Sequence, residues 1–268
     1  MKKKRIDVLL VERGLVESRN RAQRLVMAGE VRVEGEMIHK PSTQVPENAQ
    51  IDIKMRPKYI SRGGKKLEAA IETFKVPVSG KVCADVGAST GGFTDCLLQN
   101  GAKKVYAIDV GYGVLHWKLR QDPRVIVMER TNARYLDGLP EPVELVTIDA
   151  SFISLSLLLP AVIGWFEGAK GQVIALVKPQ FEAGRKAAAL HAGVIKDRSV
   201  HEEVLKATLS DTLELGLWPI GLIPSPIRGP KGNVEFLVNL VLERPPEDVN
   251  LEKLVEQAIQ NIAVDGQG

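Results

Sequence analysis

The chemistry in this sequence starts from a glycine-rich turn flanked by acids. Asp85-Val-Gly87-Ala-Ser89-Thr-Gly91-Gly92-Phe93-Thr-Asp95 follows one short apolar run and opens a helical one, so it reads as a strand-to-helix turn, the end of an open α/β sheet at which ligands bind. It is not a phosphate loop, because no Lys-Ser/Thr pair follows the last glycine and Asp95 repels phosphate. Its spacing is not Gly-x-Gly-x-x-Gly either. What remains is a backbone that a ligand can approach closely, beside Asp85, whose carboxylate can accept hydrogen bonds from an amine. Asp109 closes the next apolar run 24 residues on, where an acid receives ribose hydroxyls. A cationic nucleoside such as S-adenosylmethionine suits two carboxylates better than a dinucleotide does, so methyl transfer is preferred here over NAD chemistry.

Four more ionisable residues stand at suggestive places. Asp149 closes one apolar run, Lys178 closes another, Glu235 opens a third, and Lys66 heads an amphipathic segment. A lysine at the end of an apolar strand is costly unless it is paired. Taken singly, each residue is better explained as a snorkelling side chain or a structural ion pair. Tyr112 and Trp117, after Asp109, can cover an adenine or simply pack, and Phe93 is equally open. His39, His116, His191 and His201 show no Cys/His ligand spacing, so no zinc or other metal is expected.

These residues need elements to hold them. Beyond Lys81, short apolar runs alternate with helical segments: 82–86, 105–110, 125–128, 145–148, 173–177, 220–223 and 234–242. Seven strands with helices between most of them predict a doubly wound α/β sheet, the fold class assigned to the main body. Pro224–Asn233 is too short for a helical crossover, so the last strand is expected to enter antiparallel. Leu67, Ala70, Ile71 and Phe74 lie at i, i+3, i+4 and i+7, which predicts a helix with Lys65 and Lys66 near its start, where cations oppose the helix dipole.

The N-terminal region differs in charge. Residues 1–66 hold 16 Lys+Arg against 8 Asp+Glu, while the rest holds 20 against 25. A basic segment joined to an acidic body implies a polyanion-binding module beside a second activity. Ile6–Leu15 has helical spacing with Gly14 as its stop, Ser18 is an N-cap for a second helix ending near Gly29, and Val31/Val33 and Ile51/Ile53 alternate as short strands. This small α+β unit spans residues 1–54. A basic linker follows over 55–64, then the α/β domain over 65–245 and a helix and tail over 246–268.

Composition excludes several classes. Of 268 residues, 44 % are hydrophobic and 26 % charged, which rules out a mostly disordered or fibrous chain. The longest uncharged stretch, Ala150–Phe166, is too short and too interrupted to span a bilayer. No apolar signal core follows Met1-Lys-Lys-Lys-Arg5, and Cys83 and Cys96 read as reduced core thiols, so a soluble cytoplasmic protein is expected.

Three resemblances sharpen the reading. Arg5-Ile-Asp7-x-x-Leu-Leu … Arg13-Gly-Leu … Ser18-Arg19 … Gly29-x-Val-x-Val-x-Gly35 … Lys40-Pro-Ser resembles the S4 RNA-binding module, which implies that Arg5, Arg19, Arg21, Arg24, Arg32 and Lys40 face RNA, with Arg62 at the junction. Guanidinium forks match phosphate oxygens. Lys66, Asp149, Lys178 and Glu235 together resemble the Lys-Asp-Lys-Glu tetrad of FtsJ-like ribose 2′-O-methyltransferases, with Ser61-Arg62-Gly-Gly-Lys65-Lys66-Leu67 matching the first motif and Lys66 taken as the tetrad lysine. Over essentially the whole chain, these motifs with Ser225-Pro-Ile-x-Gly … Gly-Asn-Val-Glu235-Phe resemble the TlyA family of hemolysins and ribosomal RNA methyltransferases. The alanine-rich stretch Lys186–Ala192 departs from the glycine-richer loop that this family implies.

The resemblance implies S-adenosylmethionine as cofactor, held by Asp85, Gly87, Ser89, Gly91, Gly92, Phe93 and Asp109, and RNA, chiefly ribosomal, as partner. A ribose 2′-hydroxyl is a poor nucleophile, so a base must take its proton while the oxygen is held in line. Lys178 is the candidate. Burial and Lys66 favour its neutral form and Asp149 and Glu235 oppose it; in the other form it stays charged and stabilises the alkoxide while water takes the proton. Rival readings are a non-catalytic RNA-binding assembly factor and a membrane-lytic hemolysin, the latter without a physical feature in the sequence to support it.

Overall fold

Ser18 accepts a hydrogen bond from the Arg21 amide and so starts the second helix of the N-terminal unit, as its side chain predicts. The computed structural model describes residues 2–54, 57–168, 170–183, 194–229 and 231–262, and the chain divides into two units, Met1–Lys58 and Tyr59–Gly268. The Lys186–Ala192 stretch, with His191, lies outside the described residues.

The first unit runs β1 (Lys3–Arg5), α1 (Ile6–Glu12), α2 (Arg19–Met27), β2 (Val31–Val33), β3 (Glu36–Ile38), β4 (Gln44–Pro46) and β5 (Ile51–Ile53). β2 is the centre of an antiparallel β3-β2-β5 sheet, and β1 pairs with β4. Ile6, Leu9 and Leu10 from α1 meet Ala22 and Val26 from α2 over Val31 and Val33. At about 1.5–3 kcal/mol for each large apolar side chain fully buried, this small core is what offsets the entropy of ordering the unit. The first helix stops at Glu12, two residues before Gly14, which adopts φ +67 in the turn that follows.

The second unit is built on β6 (Val82–Val86), β7 (Lys104–Ile108), β8 (Val125–Met128), β9 (Leu145–Ile148), β10 (Gln172–Val177), β11 (Trp218–Pro224) and β12 (Phe236–Val241). Their order is β11-β12-β10-β9-β6-β7-β8. The pairs from β8 to β10 are parallel, while β12 runs antiparallel to both neighbours. Both faces are covered, which is why the strands read as apolar runs and not as alternating ones. Cys83, Val105 and Ala107 pack against α3 (Gly63–Phe74) and α4 (Gly92–Gln99). Ala84, Val86 and Val146 pack on the other face against α5 (Leu155–Ile163), α6 (Arg198–Glu214) and α7 (Leu251–Asn261). Cys83 and Cys96 are buried and unbridged, and burial pushes the Cys83 thiol up to about 12.

Candidate active site

β9 and β10 are parallel neighbours, so the residues that follow them, Asp149 and Lys178, emerge at the same sheet edge. β12 runs the opposite way, with Phe236 opposite Val177, so Glu235, the residue before that strand, emerges there too. Lys66 comes from the buried face of α3, beside Leu67 and Ala70, whereas Lys65 is exposed.

The four side chains meet. Lys178 Nζ lies 2.6 Å from Asp149 Oδ1, Lys66 Nζ lies 3.9 Å from Asp149 Oδ2 and 2.6 Å from Glu235 Oε2. Asp149 therefore sits between two ammonium groups. It is also the most open of the four, with 22 % of its side chain exposed against 11 % for Lys66, 7 % for Lys178 and 2 % for Glu235. Glu235 is the buried anchor and Asp149 the face turned to solvent.

Glycines shape the surroundings by close approach. A Cβ on Gly87, whose φ is +81, would lie 2.8 Å from the Asp149 carbonyl oxygen, so only glycine lets the turn after β6 pass against the backbone that carries Asp149. A Cβ on Gly229 would lie 2.6 Å from Glu235 Oε1, and one on Gly92 would lie 2.9 Å from the Gly64 amide nitrogen. The turn opens onto a cavity of about 340 Å³ lined by Gly87, Ser89, Gly92 and Phe93 on one side and Ser61, Arg62 and Gly63 on another. Lys66 and Asp149 reach the same cavity, as does Arg228.

Three of the expected cofactor residues do not line this cavity. Asp85 is fully buried, and its carboxylate oxygens accept hydrogen bonds from Thr94 Oγ1 at 2.6 Å and Thr147 Oγ1 at 3.2 Å. Direct capture of an amine by Asp85 is thus corrected to an indirect role: it fastens the helix that follows the glycine turn to the neighbouring strand. Burial pushes its carboxyl up to about 7, with the Asp149 charge adding to the rise and the two threonine hydrogen bonds opposing it. Asp109 accepts from the Ser89 and Gly111 amides, each at 2.7 Å, and so ties two loops together. Gly91, at φ +100, turns the chain into α4 without lining the cavity.

The arginines proposed for RNA divide into two groups. Asp7 is fully buried and takes Arg5 through two bonds of 3.0 Å, Arg19 at 3.1 Å and Gln23 at 2.9 Å. Arg5 and Arg19 therefore have a structural task as well as an exposed surface. Arg21, Arg24, Arg32 and Lys40 are exposed on the first unit, and Arg62 is exposed at the cavity of the second.

Sequence reasoning missed three neighbours of Lys178. Ser151 Oγ accepts from Lys178 Nζ at 3.0 Å. Phe152 is 90 % exposed at φ +65, with its ring centroid 5.0 Å from that of Phe181. Glu182 takes the Ser154 hydroxyl and the Leu155 amide, bridging the segments after β9 and β10; burial raises its carboxyl, and nearby Asp211 adds to the effect. The one available signal was position, since all three lie within four residues of Asp149 or Lys178.

The model of the FtsJ-like methyltransferases matches residues 59–241, and that of the S4 domain matches residues 4–51. A Bacillus subtilis protein named as a candidate rRNA methyltransferase is 48 % identical, over 97 % of this chain and 93 % of the relative. A Mycobacterium tuberculosis protein named 16S/23S rRNA (cytidine-2′-O)-methyltransferase TlyA is 43 % identical, over 95 % and 97 %. A solved structure from Streptococcus thermophilus, 43 % identical, covers 100 % of both chains at a TM-score of 0.73.

Proposed function

The chain belongs to the TlyA branch of the FtsJ-like methyltransferases, and from that membership we propose that it methylates a ribose 2′-hydroxyl of ribosomal RNA, with S-adenosylmethionine as methyl donor. The observation that supports this best is Asp149 between Lys178 at 2.6 Å and Lys66 at 3.9 Å, beside a glycine-walled cavity. The relative's name supports a cytidine in ribosomal RNA as the substrate, and the S4 unit, with its exposed arginines, supports a grip on RNA phosphates. A cytoplasmic setting belongs to the same proposal. Among the described residues no helix is long and apolar enough to cross a membrane.

The residues present fit the donor. The backbone at Gly87 and Gly92 leaves room that a Cβ would fill, the cavity of about 340 Å³ suits a nucleoside with an amino-acid tail, and Asp109, Ser89 and Phe93 stand at or next to it. Bound there, S-adenosylmethionine supplies an electrophilic methyl group.

The chain's own residues then have to hold and deprotonate the acceptor hydroxyl. Glu235 fixes Lys66, Lys66 and Lys178 fix Asp149, and Asp149 in turn aims Lys178. A lysine held in this way can take the hydroxyl proton, or stabilise the oxygen as its charge develops while water takes the proton. In both cases the reacting oxygen belongs beside Lys178 Nζ, and burial of the site keeps those interactions strong.

Incubating labelled methyl donor and separated ribosomal subunits with the parent protein and with Lys178→Ala, followed by mapping of modified riboses, tests the reading. The parent should label a ribose, and the variant should lose activity by at least about 100-fold. A label on a base nitrogen, or a Lys178→Ala protein as active as the parent, would refute it.

A further inference from the structure

Among the described residues, Lys178 Nζ has three polar neighbours. Asp149 Oδ1 lies at 2.6 Å, Ser151 Oγ at 3.0 Å, and the main-chain oxygen of Asp149 at 3.5 Å. The first two are at ordinary hydrogen-bond distances and the third is at the outer limit. An ammonium carries three hydrogens, and a neutral amine carries two and a lone pair. In either state two of the nitrogen's directions are fixed by Asp149 and Ser151, and among the described residues the remaining one meets the long contact alone.

From this we infer that Ser151 is a positioning residue, which together with Asp149 points the third direction of Lys178 Nζ at the reacting ribose oxygen. The inference rests on the role given to Lys178 above, and it holds for both protonation states. In the amine the free direction is the lone pair that takes the proton; in the ammonium it is the hydrogen that meets the developing alkoxide.

A lysine needs such a second hold. Its stem is flexible and its head is a rotating point charge, so a single acceptor leaves the nitrogen free to turn about one contact. Methyl transfer needs the acceptor oxygen in line, and small errors of placement cost large factors in rate. Ser151 is otherwise an exposed side chain, and the left-handed backbone of Phe152 follows it directly. An exposed serine contributes little to packing, so its hydroxyl can be removed with small effect on stability.

The experiment compares Ser151→Ala, Ser151→Thr and Lys178→Ala in the full-length protein, measuring kcat and KM on ribosomal subunits, affinity for the methyl donor, and Tm. For Ser151→Ala, kcat should fall about tenfold, the loss of one orienting hydrogen bond to Lys178 Nζ. KM, donor affinity and Tm should stay close to those of the parent. Ser151→Thr keeps the hydroxyl and should restore most of kcat. An unchanged kcat in Ser151→Ala while Lys178→Ala is inactive overturns the role of Ser151 and leaves that of Lys178 standing. A raised KM at unchanged kcat makes Ser151 an RNA contact instead, and failure of threonine to rescue, or a lowered Tm, makes it structural; each overturns the inference. Activity in Lys178→Ala removes the reading on which it rests.

Discussion

Lys66 and Glu235 are 169 residues apart in the chain, and their charged groups are 2.6 Å apart at the end of the sheet. Both side chains are almost wholly withdrawn from water, so the pair holds α3 and the start of β12 against each other as well as serving the site. Removing one partner leaves the other charged and buried, at a cost of about 3–5 kcal/mol, while replacing both with apolar side chains of similar volume is often neutral. Glu235→Leu should therefore lower stability by that amount in urea unfolding. The double variant Lys66→Met with Glu235→Leu should recover most of the stability and none of the methyl transfer. Recovery of activity in the double variant would make the pair purely structural.

Gly87 offers a second separation of structure from chemistry. Its left-handed φ and the 2.8 Å approach of a Cβ to the Asp149 carbonyl oxygen combine strain with collision against backbone, which cannot swing aside as a side chain can. Gly87→Ala should cost about 1–3 kcal/mol of stability. It should also lower kcat at least about tenfold by moving Asp149 out of register with Lys178. A variant with parental kcat would show that the turn adapts without disturbing Asp149.

Much of this was legible in the sequence, for a reason particular to the sheet. Strands buried on both faces carry uninterrupted apolar runs, and those runs match all seven strands to within two residues at each end. The antiparallel entry of β12 followed from the short link Pro224–Asn233. What the residues alone did not give was the meeting of Lys66 with Glu235, because a contact across 169 residues leaves no local pattern; it came from resemblance to a family. Asp85 shows the opposite failure. Its place at a strand end looked like ligand contact, but it is held beneath the turn by Thr94 and Thr147, and which side of a strand faces a cavity depends on how the next helix packs. β1 escaped notice because Lys3–Arg5 is short and charged, and its pairing with Gln44–Pro46 is tertiary.

Phe152 places function and stability in opposition. A non-glycine residue at φ +65 is strained, and a ring that is 90 % exposed gains little from burial. Phe152→Gly should raise stability by about 0.5–1 kcal/mol, since glycine adopts that backbone without steric cost. The ring stands beside Phe181 and the Lys178 site, where an aromatic face can stack a nucleobase at about 1–3 kcal/mol. The same variant should then raise KM for RNA at least about fivefold. Loss of stability in Phe152→Gly would mean that the ring is packed and not presented.

Buried acids in the two units should respond to pH with opposite sign. In the first unit Arg5, with Gln23 and Arg19, holds the Asp7 carboxyl well below the usual range against the cost of burial. Its contribution is present above the unfolded value of about 4 and is lost as pH falls below that. Asp7→Asn should cost about 1.5–3 kcal/mol at neutral pH, a difference that shrinks on acidification, as followed by amide exchange in α1 of the full-length protein. In the second unit burial raises Asp85 to about 7, so the folded state binds a proton that the unfolded state releases near pH 4. Stability of this unit must therefore fall as pH climbs from about 4 to about 7, by no more than about 1.4 kcal/mol per pH unit. Asp85→Asn keeps a neutral hydrogen-bonding group in place, so its advantage over the parent should grow from about pH 5 to pH 7.5 and then level off in urea titrations. A parent–variant difference that is flat with pH, or that grows on acidification, would mean that Asp85 is ionised in the folded protein and that Thr94 and Thr147 hold it as a carboxylate.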